Sequence, residues 1–97
     1  MGEVVRFPQR TTEQDPEPLW REQLGDRLRQ ERQARDERLV DVAERAGVST
    51  QYLSEVERGL KDPSSEMLQA IAGSLDLTVR ELVTRVTRGG DVLAMAA

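Results

Sequence analysis

The fold of this chain depends on one stretch, LVDVAERAGVSTQYLSEVER, which spans Leu39 to Arg58. A first short helix is predicted over Leu39 to Ala46, and Gly47 after it can take positive φ without a Cβ penalty. Ser49 then offers a hydroxyl to the free N–H groups of a second helix, predicted from Thr50 to Arg58. The stretch therefore predicts two short helices joined by a tight turn.

The apolar residues of this stretch lie where two crossing helices need their buried side chains. Ala43 is small, which allows a close crossing, and Gly59 lies where a left-handed C-cap is expected to end the second helix. The other inward positions match those of a helix-turn-helix motif: Val42, Ala46, Val48, Leu53 and Val56.

The span from Leu24 to Val83 resembles the lambda-repressor-like helix-turn-helix domains, also called the XRE family. Within it, YLSEVERGLKDPSSEML, from Tyr52 to Leu68, is similar to the regulators of Clp protease genes in actinobacteria. Caps, turn and core fit together, which makes the family match a specific signal. The resemblance implies an all-α DNA-binding domain of five helices.

Three further helices complete the predicted fold. The first begins near Pro18 and carries an apolar residue at every fourth position: Trp20, Leu24 and Leu28. Ser64 and Ser65 can cap the fourth helix, and Thr78–Glu81 has the sequence of a capping box for the fifth. Gly89–Gly90 is predicted to end that last helix.

The chain divides into three predicted segments: a flexible N-terminal arm (residues 1–17), the helix-turn-helix domain (18–88) and a short flexible C-terminal tail (89–97). The arm is polar and rich in proline, which favours disorder. Two functional alternatives stay open, because an arm can carry arginines into a minor groove or dock on a partner subunit.

Composition excludes several classes of function. The 97 residues suit one domain with a modest core. With no cysteine and no histidine, thiolate and imidazole metal sites are excluded, and the commonest general base is missing. No catalytic residue, cofactor or metal is predicted. Neither a membrane span nor a signal peptide is recognisable, so we expect a cytoplasmic protein that associates with the nucleoid and not with a membrane.

The net charge is unusual for a protein that binds DNA. Fourteen basic and 18 acidic residues give −4, whereas DNA-binding domains are more often basic. A phosphate backbone, however, contacts only one face of a protein. Five arginines lie between Arg27 and Arg38. We therefore expect a strongly salt-dependent affinity for DNA with few phosphate contacts.

The second helix of the motif has two distinct faces when its residues are placed at about 100° each. Leu53 and Val56 point inward. By position in the family's recognition helix, the resemblance implies four base-reading residues: Thr50, Gln51, Ser54 and Glu55. An amide such as that of Gln51 suits adenine, and a carboxylate such as that of Glu55 suits cytosine N4. The candidate phosphate contacts are Arg38, Ser49, Tyr52, Arg58 and Lys61. The alternative is that these are ordinary solvated side chains.

Two features concern charged residues near the motif. The family pattern has Gly, Leu and a Thr or Ser cap where this chain has Asp36, Glu37 and Arg38. Asp36 can still adopt a turn conformation, but Arg38 cannot cap as a hydroxyl does.

Arg32 continues the apolar stripe of the first helix, so a pair with Glu57 is predicted. The alternative is that both side chains reach water.

The predicted function is that of a dimeric transcription regulator. It binds a pseudo-palindromic operator in double-stranded DNA through Thr50 to Arg58, and the resemblance implies activation of Clp protease genes, with RNA polymerase as a further partner. The predicted dimer interface consists of Leu82, Val83 and Val86. The alternative is an antitoxin-like module that uses the same fold to cover a protein. No nucleophile with a base is present to support an enzyme.

The C-terminal residues Val92 to Ala97 resemble the apolar tags, ending in two alanines, that Clp proteases recognise. A degradation signal at Ala96 and Ala97 is therefore predicted, with Clp protease as the partner. The alternatives are an inert tail and a segment that docks on the dimer.

Overall fold

Five helices form the part of the chain that the computed structural model describes, residues 19–96. They are α1 (Trp20–Ala34), α2 (Leu39–Ala46), α3 (Thr50–Glu57), α4 (Ser65–Ser74) and α5 (Val79–Ala96). The prediction of an all-α, five-helix domain is confirmed. The predicted N-terminal arm and Pro18 lie outside the described residues.

Side-chain caps set the beginnings of three helices. The Ser49 hydroxyl accepts a hydrogen bond from the Tyr52 N–H at 3.0 Å at the start of α3. Ser64 caps α4 by accepting from the Met67 N–H at 3.1 Å. Thr78 and Glu81 form the predicted capping box of α5, in which each side chain accepts from the other residue's N–H. These bonds satisfy N–H groups that have no partner within the helix.

Left-handed residues close the turns between helices. Gly47 ends α2 with φ 77°, and Gly59 follows α3 with φ 76°, as predicted. Asp36, between α1 and α2, has φ 56°, a conformation that aspartate tolerates better than most residues. It therefore replaces the glycine that is usual at this turn.

The core receives apolar side chains from every helix. α1 packs against α3 and α5, α2 packs against α3 and α4, and α4 also contacts α5. The prediction that Trp20 shares the buried stripe of α1 is wrong, because its side chain is 42% exposed and the stripe begins one turn later, at Leu24. The buried residues are Leu24, Leu28, Val42, Ala43, Leu53, Val56, Ile71, Ala72, Leu75, Leu82 and Val86.

The last helix does not end at Gly89–Gly90, so that prediction is wrong. α5 continues to Ala96, because glycine in a helix costs only about 1 kcal/mol relative to alanine. A Cβ on Gly89 would lie 2.7 Å from Nη2 of Arg27, the far end of a flexible side chain of α1 that could shift to make room. The degradation signal stays a prediction, since Ala97 lies outside the described residues.

The predicted dimer interface is wrong at two of its three residues. Leu82 is fully buried and Val86 is 7% exposed within the single chain, where α1 and α4 lie against α5. These two side chains are therefore not available to a partner subunit. Val83 is half-buried.

Among the described helices, none is long and apolar enough to span a lipid bilayer.

Candidate nucleic-acid interface

α3 has one buried face and one polar face, as its sequence predicts. Leu53 is 1% exposed and Val56 is fully buried, which seats the helix on the core. On the other side, Thr50 and Gln51 are exposed. Ser54 and Glu55 are half-buried, and Arg58 is exposed at the C-cap. The helix therefore presents its first turn, with its polar side chains, to the outside of the fold.

The turn that precedes α3 is closed by backbone hydrogen bonds. The Gly47 N–H donates to the Glu44 carbonyl at 3.2 Å, and the Val48 N–H donates to the Ala43 carbonyl at 3.0 Å. Val48 packs against the core as predicted. These contacts hold α3 in one orientation relative to α2, which a rigid binding element requires.

An ion pair attaches the C-terminal end of α3 to α1. Arg32 donates from Nε to Oε2 of Glu57 at 2.8 Å and from Nη2 to Oε1 at 3.0 Å. Its Nη1 donates to the Glu37 carbonyl at 2.9 Å. Only 13% of the Arg32 side chain and 6% of the Glu57 side chain are exposed. The hydrogen bond that Arg32 donates to the Glu57 carboxylate raises the pKa of Arg32 above its usual value.

Two arginines that the sequence analysis did not single out cap the ends of helices. Arg21 donates from Nε to the carbonyl of Gly59, just after α3, at 3.1 Å. Arg45 donates from Nη2 to the Ser74 carbonyl at the end of α4, at 2.9 Å. Both place a cation at the negative end of a helix dipole. Their partners are distant in sequence, so no local pattern could have identified them.

Glu37 stands where the family pattern has leucine, and it forms an ion-pair network. Its Oε1 accepts from Nη2 of Arg45 at 2.7 Å and from Nε of Arg35 at 3.1 Å. The hydrogen bond from Arg45, with a smaller contribution from Arg35, lowers the pKa of the Glu37 carboxyl. The lost apolar contact is thus replaced by polar links between α2 and the turn after α1.

Arg38, a candidate phosphate contact, begins α2 without capping it. Its side chain makes no cap hydrogen bond, as expected for an arginine at this position. Instead, Nε and Nη2 donate to the two carboxylate oxygens of Asp41 at 3.0 and 3.2 Å. The hydrogen bond from Arg38 lowers the pKa of the Asp41 carboxyl. The i,i+3 spacing of the two residues could have predicted this pair.

Two other candidate contacts lie in one ion pair. Nζ of Lys61 is 3.7 Å from Oε1 of Glu55, and the Glu55 side chain is 24% exposed. A candidate base-reading carboxylate and a candidate phosphate-binding cation are thus neighbours. The lysine partly neutralises the carboxylate on a face that would approach phosphates.

The side chains of Ser49 and Tyr52 have different surroundings. Ser49 uses one lone pair as the cap of α3, which leaves its O–H free to donate to a phosphate oxygen. Tyr52 is half-buried and its ring packs against the core. Both residues lie in the first turn of α3 or directly before it, beside the exposed Thr50 and Gln51.

Comparison with known proteins identifies the relatives of this chain. A helix-turn-helix family profile, HTH_3, matches residues 28–82. The transcriptional regulator ClgR of Mycobacterium tuberculosis is 51% identical over 59 residues, which are 61% of this chain and 53% of that relative. The crystal structure of the clp gene regulator ClgR from Corynebacterium glutamicum has a TM-score of 0.75 and 38% identity, over 84% of this chain and 86% of that one.

A second similar structure contains DNA. The master regulator for biofilm formation SinR, solved in complex with DNA, has a TM-score of 0.58 and 38% identity, over 62% of this chain and 97% of that chain. The present chain spans about half the length of the curated relatives that it matches.

Proposed function

Because this chain belongs to the helix-turn-helix family, we propose that it is a transcription regulator that binds double-stranded DNA through α3. The observation that carries the proposal is the exposed polar first turn of α3, opposite a face that is seated on the core. In helix-turn-helix proteins the second helix enters the major groove with its N-terminal residues at the base edges, while the first helix crosses the backbone.

In the proposed mechanism, one set of residues reads the base sequence and another set positions α3 on the DNA backbone. Gln51 pairs with adenine N6 and N7, and Glu55 accepts from cytosine N4. Thr50 contacts a thymine methyl, and Ser54 extends the same surface. Phosphate contacts fix the register of the helix without reading sequence. These come from Arg38, Ser49, Tyr52, Arg58 and Lys61.

The regulated genes are proposed from similarity. The similar structure from Corynebacterium glutamicum is described as the clp gene regulator ClgR, and the relative from Mycobacterium tuberculosis has the same protein name. The alignment covers 86% of the Corynebacterium glutamicum chain. We therefore assign Clp protease genes as targets, with activation as the sign of control. A genome-wide footprint of the protein tests this: occupancy upstream of Clp protease genes supports the proposal, and its absence there contradicts it.

The charge of the chain favours a second candidate, a protein-interaction module that uses the same fold. The net charge is −4, and two candidate phosphate-binding cations are engaged with carboxylates. Titration of genomic fragments at low and high salt separates the two candidates. A regulator binds them and loses affinity as salt rises, whereas a protein-interaction module binds none.

Substitution of Gln51 by alanine is expected to relax base preference at one position of each half-site. A lost bidentate contact corresponds to about 1–3 kcal/mol of discrimination, and Glu55→Ala should do the same at another position. Selection from a random DNA library measures both effects. Arg58→Ala is the matched control, because loss of a phosphate contact weakens all sequences similarly. An unchanged motif for Gln51→Ala contradicts the assignment.

Binding as a homodimer to a pseudo-palindromic site is the next expected result. One short helix reads too few base pairs for useful genomic specificity, and two copies spaced by one helical turn solve this. Of the three interface residues predicted from sequence, only Val83 is not buried in the core of the single chain. Sedimentation with and without a two-half-site duplex measures the stoichiometry. A monomer in both states would rule out the dimer.

A further inference from the structure

The first turn of α2 holds a cation and an anion of the same chain in one compact pair. Arg38 gives two hydrogen bonds to the two carboxylate oxygens of Asp41, and 78% of the arginine side chain is exposed. Two parallel N–H groups on two oxygens is also how a guanidinium binds a phosphate group. Asp41 therefore occupies the Nε and Nη2 edge of the guanidinium, one of the two edges that could bind a phosphate with two parallel N–H groups.

We propose that Asp41 is an internal competitor of the DNA backbone, which lowers the affinity of the chain for every DNA sequence by holding Arg38. This inference rests on the proposed DNA-binding function. In helix-turn-helix proteins the helix that Arg38 begins is the one that crosses the backbone. A phosphate can take the Nε and Nη2 donors of Arg38 only after their bonds to Asp41 are released.

The effect is moderate and independent of base sequence. An exposed ion pair stabilises weakly, so the competition corresponds to about a two- to fivefold change in affinity. Phosphate contacts carry no base information, and therefore the ratio of specific to non-specific binding stays constant.

The test compares Asp41→Asn with the wild-type chain on a duplex of mixed sequence, by fluorescence anisotropy over a series of salt concentrations. Asp41→Asn should bind about two- to fivefold more tightly. The slope of log K against log salt should become steeper by up to about 0.9, the value of one phosphate contact, because Arg38 then contacts a phosphate in a larger share of the complexes. Circular dichroism checks that the variant keeps its helices.

Asp76→Asn is the matched control. It removes the same charge and also takes one carboxylate partner from an arginine, since Oδ2 of Asp76 lies 3.1 Å from Nη1 of Arg35. Asparagine also tolerates the left-handed conformation of this residue, φ 60°. Asp76 lies in the turn between α4 and α5 and not at the first turn of α2. Its variant should keep the wild-type slope.

A double variant shows whether Asp41 acts through Arg38. In an Arg38→Gln background, Asp41→Asn should change neither affinity nor slope, because the competitor has lost its cation. A gain that persists in this background overturns the proposal, and so does an Asp41→Asn variant that behaves like Asp76→Asn. If the folded wild-type chain binds no DNA at any salt concentration, the proposed function fails as well.

Discussion

Replacement of Arg32 by alanine is expected to lower the free energy of unfolding by about 3–5 kcal/mol, because it leaves the carboxylate of Glu57 buried without its partner. The Glu57 side chain is only 6% exposed, and its two carboxylate oxygens each accept a hydrogen bond from this arginine. The Glu37 carbonyl loses a donor in the same variant. Denaturant unfolding at neutral pH measures the change.

Arg29→Ala is the control for this prediction, since Arg29 is an exposed arginine of the same helix. Surface substitutions usually change stability by no more than about 0.5 kcal/mol. If Arg32→Ala does not fold, Arg32→Lys still tests the pair. Lysine keeps the charge but cannot present two parallel N–H groups, so the lysine variant should lie between the wild type and the alanine variant. Equal unfolding free energies for Arg32→Ala and Arg29→Ala would contradict the role of the pair.

Gly25→Ala should destabilise the protein by about 2–3 kcal/mol, the upper part of the range for overpacking. Gly25 is buried where α1 crosses the end of α3. A Cβ built at this position would overlap the Val56 carbonyl oxygen and lie 2.6 Å from that of Glu57. Both obstacles are backbone atoms, so relief requires α1 and α3 to move apart, and the gain in helix propensity of about 1 kcal/mol does not compensate. Thermal or chemical unfolding measures the loss.

Gly73→Ala provides the opposite result within the same fold. Gly73 lies in α4, and a Cβ there would meet no atom within 4 Å. Alanine should therefore stabilise the chain by up to about 1 kcal/mol through helix propensity alone. Similar stabilities for the two alanine variants would show that α1 and α3 are not in close contact at Gly25.

The Gly25 variant should also lose affinity for DNA, because the displaced helix is the one proposed to enter the groove.

Features that depend on near neighbours in the chain could be predicted from sequence. Ser49 caps α3, and Thr78 with Glu81 caps α5, through hydrogen bonds that span three residues. Gly47 and Gly59 close turns by their own φ angles. Leu53 and Val56 point inward because the helical repeat places them on one face. The polar face of α3 follows from the same repeat, so the candidate base-reading residues are identified before any packing is known.

Features that depend on how helices pack against each other required the tertiary structure. Periodicity shows that Leu82 and Val86 share an apolar face, but it does not show that α1 and α4 cover that face within one chain. Gly25 has no local signal, and its role comes from backbone atoms more than 30 residues away in α3. Helical hydrogen bonds and caps act over three or four residues, whereas burial is set by elements that are distant in sequence. For the same reason the polar residues of α3 could be read from the sequence, and so could the need of Arg32 for a partner, because it interrupts the apolar stripe of α1. The close contact of α1 with α3 at Gly25 is established only by the fold.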